Sequence, residues 1–211
     1  MTERLAHRAV ERSVGRRRAE YEAEVARIVE VTFTLIQRTG SLDPSMRDIL
    51  AEAGLSTQAF YRYFTSKDEL MLALLDEGRR QLIETLQRRM RQAESPAEQV
   101  RAWIEGVLSQ AANAAAAART RPWVLSEQRL AELFPEEQQS SVDLLLAVLH
   151  DPVERLEGPP GHHGADGSAS PAVLVYRLTF ATLRSHLVAR TSPTPAETEA
   201  LVVFCLRGLT Q

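Results

Sequence analysis

Gly54 sits between two short helical patterns, and that placement constrains the chain more than any other feature. Upstream of it, Ser45 can cap the free N–H groups of a helix start, and Pro44 keeps an earlier helix from running through. Ile49, Ala53 and Leu55 supply apolar contacts. The glycine supplies the left-handed backbone that a turn of a few residues requires. Ser56 or Thr57 can cap the second helix, with Phe60 directed inward and Phe64 closing its far end. A helix, a glycine turn and a capped helix with one buried aromatic form the helix-turn-helix pattern. So short a helix is unstable alone and must pack against neighbours. Residues 21–39 provide one: Val25, Ile28, Val29, Phe33 and Ile36 recur at helical spacing, and Gly40 with Asp43-Pro44 ends the segment.

The runs Gly54-Leu55-Ser56, Phe60-Tyr61-Arg62-Tyr63-Phe64 and Ser66-Lys67-Asp68-Glu69-Leu70 resemble the N-terminal signature of the TetR family of bacterial transcriptional repressors. The resemblance covers roughly residues 21–75. Leu50 departs from it, because the family usually places alanine where the two helices cross closely. The resemblance implies an all-α fold: an N-terminal three-helix helix-turn-helix DNA-binding domain, then a helical ligand-binding and dimerisation domain. It further implies a homodimeric DNA-binding transcriptional regulator, a repressor released from a palindromic operator by a small-molecule effector. By the same resemblance, Tyr61 and Lys67 bind phosphate. The competing class is a dimeric helical protein-interaction module that does not read DNA sequence, with Leu50 as its main support.

In a helix-turn-helix the start of the second helix enters the major groove. Thr57, Gln58 and Ala59 are therefore the base-edge candidates, just behind the Ser56 cap. Glutamine pairs bidentately with adenine, and an alanine or threonine methyl packs on thymine. Arg62 reaches either guanine or a phosphate. Ser45, Arg47, Tyr61 and Lys67 form the expected positioning set. Lys67 has a reason of its own, since free N–H groups at a helix start already favour an anion. It is also the only lysine beside 24 arginines.

The net charge of −3 hides an asymmetry: residues 1–67 carry 11 basic and 9 acidic side chains, residues 68–211 carry 14 and 19. Residues 1–20 form a basic N-terminal arm with Arg4, Arg8, Arg12 and the run Arg16, Arg17, Arg18. That arm is either a frayed, disordered terminus or a segment that follows the DNA backbone or enters an adjacent minor groove. Cys205 is the sole cysteine, which excludes an internal disulfide and fits a cytoplasmic protein. No stretch has the apolar length of a membrane span, and the Arg-rich start lacks the apolar run of a signal peptide.

The domains are thus expected at 21–67 for DNA binding and 68–211 for effector binding and dimerisation. A helix over 67–92, capped by Ser66 with Glu69 as a capping box, touches both and is the expected lever of induction. Residues 96–119 read as one helix, Arg121-Pro122-Trp123 opens another reaching Phe134, and Pro135 restarts one through Leu149. His150-Asp151 before Pro152 reads as a helix end. Residues 157–170 read as a disordered loop, in which His162 and His163 lack the partners of a metal site. The last two helices, about 171–190 and 195–209, are so apolar that they are expected to pair with their twofold copies, with residues 171–209 forming the homodimer. Family resemblance implies the same use.

A pocket between the body helices is the expected home of an unknown small-molecule effector. Trp103, Val107, Asn113, Trp123, Tyr176 and His186 are its candidates, each with core packing as the competing role. The chain lacks a phosphate-binding glycine loop, a His-Glu-x-x-His helix and a Gly-x-Ser-x-Gly elbow. No enzyme, metal or cofactor is expected.

Overall fold

The computed structural model describes residues 2–157 and 170–210, with side-chain surroundings from Val14 to Leu156 and from Ser170 to Thr210. The expected loop over 157–170, with His162 and His163, lies outside the described residues except at its edges: Glu157 ends a helix and Ser170 caps the next. The described residues are all α, with no strand among them, and they divide into two compact units, 1–75 and 76–211.

In the first unit, α1 (Thr2–Thr39), α2 (Met46–Ala53) and α3 (Thr57–Phe60) precede the start of α4 (Lys67–Met90). The first helix does not begin near residue 21 but runs unbroken from Thr2. Arginine, glutamate and alanine are all good helix formers, and Arg16 to Glu20 (3.6 Å) and Arg18 to Glu22 (2.7 Å) form i,i+4 pairs along the exposed stretch. The periodic stripe downstream turns into the core, where Ile28, Val29 and Ile36 are buried with Ile49, Ala53, Phe60, Phe64, Leu70 and Leu74. Thr32 is fully buried as well, and its hydroxyl donates to the Ile28 carbonyl (2.7 Å), so it brings no unpaired polar group inside. Gly40 ends α1 at φ 69°, its N–H on the Ile36 carbonyl (2.8 Å).

The second unit contains the rest of α4, then α5 (Pro96–Leu108), α6 (Ala114–Leu125), α7 (Glu127–Leu133), α8 (Pro135–Glu157), α9 (Pro171–Ala189) and α10 (Pro195–Leu209). Its boundaries differ from expectation in three places. The helix expected over 96–119 breaks after a short 3-10 turn, Ser109–Ala111, and restarts at Asn113, whose side-chain oxygen accepts from Ala116 N–H (2.9 Å). Asparagine caps a helix better than it continues one. Pro122 does not open a helix; it is buried inside α6, and the break falls at Ser126 instead. Pro152 likewise lies inside α8, so His150 is no helix terminus but an i,i+4 neighbour of Glu154 at 3.4 Å. A buried proline loses one helical hydrogen bond, and here packing holds both helices through it.

Ser95 and Glu98 open α5 with a complete capping box. The box expected at Ser66 is only half formed. Ser66 Oγ accepts from Glu69 N–H (3.1 Å), but the Glu69 carboxylate reaches Thr65, accepting from both its N–H and its hydroxyl. Those two donors hold the Glu69 carboxyl below the usual carboxylate range.

The core of the second unit centres on Trp103, Ile104, Val107 and Leu108 of α5, enclosed by Leu86, Leu149, Val175, Leu183, Leu187 and Val202. Gly106 lets α4 approach: a Cβ there would lie 2.5 Å from Leu86 Cδ2. Trp103, Tyr176 and Phe180 form an aromatic cluster, with Tyr176 and Phe180 centroids 4.5 Å apart. Burial pushes the Tyr176 phenol up to about 12, nearby Glu127 adding to the rise and Arg79 opposing it. A phenol whose folded pKa exceeds its unfolded one stabilises the fold below the unfolded value and loses that contribution as pH rises. Stability should therefore fall between pH 10.0 and about 12. Thermal melts across that window, compared with Tyr176→Phe, should show a flatter slope in the variant. An equal slope would place the titration elsewhere.

Candidate nucleic-acid interface

The turn between α2 and α3 is assembled from local signals. Ser45 Oγ accepts from Asp48 N–H (3.1 Å) and donates to the Asp48 carboxylate (2.6 Å), starting α2. Gly54 ends it at φ 62°, ψ 36°, with Leu55 N–H reaching back to the Leu50 carbonyl (3.0 Å). Ser56, rather than Thr57, caps α3 by accepting from Ala59 N–H (3.1 Å). The helix makes a single turn. Beyond Phe60 the backbone tightens, with Arg62 N–H on Ala59 and Tyr63 N–H on Phe60, before Phe64 closes the element. Phe60 is fully buried, and the Phe64 ring lies 5.5 Å from it.

Three sets of contacts tie α1 to α2 and to the segment after α3. Arg38 holds Glu52 with two guanidinium bonds (3.3 and 2.9 Å). Arg27 donates to the Ala53 carbonyl (2.6 Å), satisfying an acceptor at the end of α2 that has no partner in its own helix. Tyr21 stacks obliquely on Tyr63, centroids 5.0 Å apart, and its hydroxyl donates toward the carbonyls of Arg62 (3.4 Å) and Tyr63 (3.3 Å). Sequence reasoning missed Tyr21 and Arg27. Their partners lie far along the chain, so periodicity carries no sign of them.

The base-edge candidates differ in exposure. Thr57 and Gln58 are exposed and Ala59 is half-buried; among the described residues neither the Thr57 nor the Gln58 side chain has a hydrogen-bond partner. Tyr61 is exposed. The Arg62 guanidinium lies 5.5 Å from the centre of the Tyr63 ring, a cation–π contact that steadies it. Arg47 is exposed, and its guanidinium has no partner among the described residues. Lys67 forms an ion pair with Asp43, which shares the cation between a neighbouring carboxylate and any anion that arrives. In the arm Arg16 and Arg18 are paired along the helix, and Arg17 has no ion pair among the described residues.

The family described as bacterial regulatory proteins, tetR family, matches residues 28–74, the segment that holds this geometry. Residues 28–74 are a TetR-family N-terminal segment. BetI of Brucella canis, an HTH-type transcriptional regulator, is 34% identical over 77 residues, 36% of this chain and 39% of that protein. The HTH-type transcriptional regulator Mb1846 of Mycobacterium bovis is 36% identical over 75 residues, 36% of this chain and 32% of that protein. The matched segment thus spans about two fifths or less of these relatives. Among solved structures, SCO4454 of Streptomyces coelicolor, a TetR-family transcriptional regulator, superposes with a TM-score of 0.66 at 17% identity, over 89% of this chain and 91% of that one. The ketosteroid transcriptional regulator KstR2 of Mycobacterium tuberculosis superposes at 0.51 and 20% identity, over 89% and 95%. At such identities the TetR-family likeness outside the first 75 residues is one of fold.

The effector candidates do not converge. Trp103 and Val107 are fully buried, and the Trp103 indole N–H has no partner among the described residues. Tyr176 packs beside Trp103. Asn113 is an exposed helix cap. His186 joins the end of α9 to the start of α10, with Nδ1 at 2.8 Å from the Thr191 hydroxyl and Nε2 at 3.1 Å from Glu197. Trp123 is half-buried on α6. Among the described residues no cluster of ligating side chains could hold a metal, and no helix is long and apolar enough to cross a membrane.

Proposed function

We propose that this protein is a homodimeric, cytoplasmic, DNA-binding transcriptional regulator that binds a palindromic operator and is released from it by a small-molecule effector, acting as a repressor. The observation that carries it is the start of α3: a helix end capped by Ser56, with Thr57 and Gln58 exposed and without side-chain partners among the described residues, while Tyr21 ties the segment just after the helix to α1. Base-reading side chains must be free of internal partners and held on a rigid base, and these are both. Ser45 and Ser56 contribute through the caps that fix the two helices, and Arg47, Tyr61, Arg62 and Lys67 by contacting phosphates. Arg16, Arg17 and Arg18 project from a continuous helix. A helix is about 10–12 Å across and the minor groove about 6 Å wide, which leaves the phosphate backbone as what this arm would follow. The continuous α4, shared by the two units, is the element through which an effector would act.

The test is fluorescence anisotropy with a palindromic duplex from the gene's own upstream region. Tyr61→Phe and Lys67→Ala should weaken binding to every sequence tried. The lysine change removes a cation and also leaves Asp43 less compensated near phosphate. Gln58→Ala should instead alter preference at one base pair, by roughly 1–3 kcal/mol for a bidentate contact. Loss of binding in all three with no change of preference would refute the base-reading assignment. A wild-type protein that ignores duplex at low salt would favour an interaction module instead.

A further inference from the structure

The second unit carries an open groove of about 470 Å³ that none of the six effector candidates lines. That volume is within the usual range for small-molecule sites, about 300–1,000 Å³. One face of α4 and one face of α8 form its walls, and Gln99 of α5 completes it. The lining is largely apolar: Ile83 and Met90 from α4, and Leu144, Val148 and Pro152 from α8. Leu144 is 54% exposed, a large apolar side chain left uncovered beside the groove.

The polar groups in the lining are unequally committed. Asp151 is neutralised by Arg155 at 2.8 Å, and Arg155 also donates to the Gln99 side-chain oxygen. Gln99 is therefore left with its amide N–H groups to offer. The Arg91 guanidinium lines the groove with no ion pair or hydrogen bond among the described residues, and the side chains of its exposed neighbours Arg88 and Arg89 are likewise unpaired there. An apolar trough with its one acid already compensated, and with an uncommitted guanidinium and an amide donor at its edge, is complementary to one kind of molecule.

We infer that this groove binds a small apolar carboxylate, its charged end on Arg91 and Gln99 and its hydrocarbon along Ile83, Leu144 and Val148. The binding itself needs nothing from the regulatory reading; the consequence of binding rests on it. The full-length protein is titrated by calorimetry with decanoate, decanol and decylammonium. Decanoate is expected to bind at least tenfold more tightly than decanol, and decylammonium not at all. Arg91→Gln should bring decanoate down to the level of decanol. Ala147→Trp, at an exposed position in the lining, should abolish binding of both, with an unchanged circular dichroism spectrum showing that the fold survives.

Decanoate binding that persists in Ala147→Trp, or a carboxylate preference unaltered by Arg91→Gln, overturns the site. So does wild-type protein that binds no decanoate. A parallel anisotropy measurement separates the two claims. Decanoate that occupies the groove yet leaves the operator complex intact keeps the site and refutes its role in release. Normal operator binding with an empty groove refutes the site and leaves the DNA-binding reading standing.

Discussion

Phe204→Glu is expected to leave the fold intact, convert the proposed dimer to a monomer and lower operator affinity by about 10²–10⁴-fold, the scale that linking two binding events supplies. On α10 the side chains of Val202, Cys205 and Leu209 are buried against the subunit's own core, whereas Phe204 is 67% exposed. On α9, Leu174, Leu178 and Val188 are also exposed, and they recur at helical spacing with Ala181 and Ser185 between them. Several large apolar side chains left exposed on two helices of a lone subunit are a candidate interface, and a twofold copy can cover them with its own. A buried carboxylate opposed by its symmetry mate would be strongly unfavourable at that contact. Sedimentation equilibrium gives the mass, and anisotropy on the palindromic duplex gives the affinity. A glutamate variant that stays dimeric with unaltered affinity would move the interface away from α9 and α10.

The parts of this molecule that could be read from sequence are those whose cause lies within a few residues. Ser45, Gly54 and Ser56 act on N–H and C=O groups three to five positions away, so their roles follow from type and spacing. Phe60 and the stripe of α1 were legible because a 3.6-residue period is a local property. The same logic explains the errors. Glu69 stands where a capping box wants it, yet its carboxylate takes the two donors of Thr65, a choice set by the geometry of the preceding turn. For residues 2–20 the sequence leaves a frayed terminus and an ordered arm both open, because no apolar stripe marks them; their helix rests on propensity, with i,i+4 ion pairs at Arg16 and Arg18.

The body resisted for a different reason. Pro122 and Pro152 are usually reliable breakers, but here tertiary packing holds each inside a helix, and packing is not written in the neighbouring residues. Selecting pocket residues by type gathered a helix cap (Asn113), an inter-helix tie (His186) and core members (Trp103, Val107) that have separate duties. The groove has no mark in the sequence, since Ile83, Leu144 and Val148 read as ordinary members of two amphipathic helices. Only the fold brings the two faces together, and only the fold leaves Arg91 without an acid to pair with among the described residues.

The other large effect should come from Phe60→Ala, which is expected to abolish operator binding while most of the helical signal survives. Phe60 is fully buried and touches Phe64 and Tyr61, centroids 5.5 Å away in each case. Removing a buried phenyl ring typically destabilises by about 3–5 kcal/mol, through lost transfer energy and the cavity left behind. The helix it anchors has only one turn and no intrinsic stability to fall back on. Without the ring, Thr57 and Gln58 would lose the rigid base that aims them, whereas the core around Trp103 belongs to the second unit and does not include Phe60. Amide hydrogen exchange should therefore show lost protection over α2 and α3, with α5, α9 and α10 unchanged. Phe60→Leu, which keeps most of the buried volume, should restore a measurable share of binding. If Phe60→Ala bound the operator as the wild type does, α3 would not be the element that meets DNA.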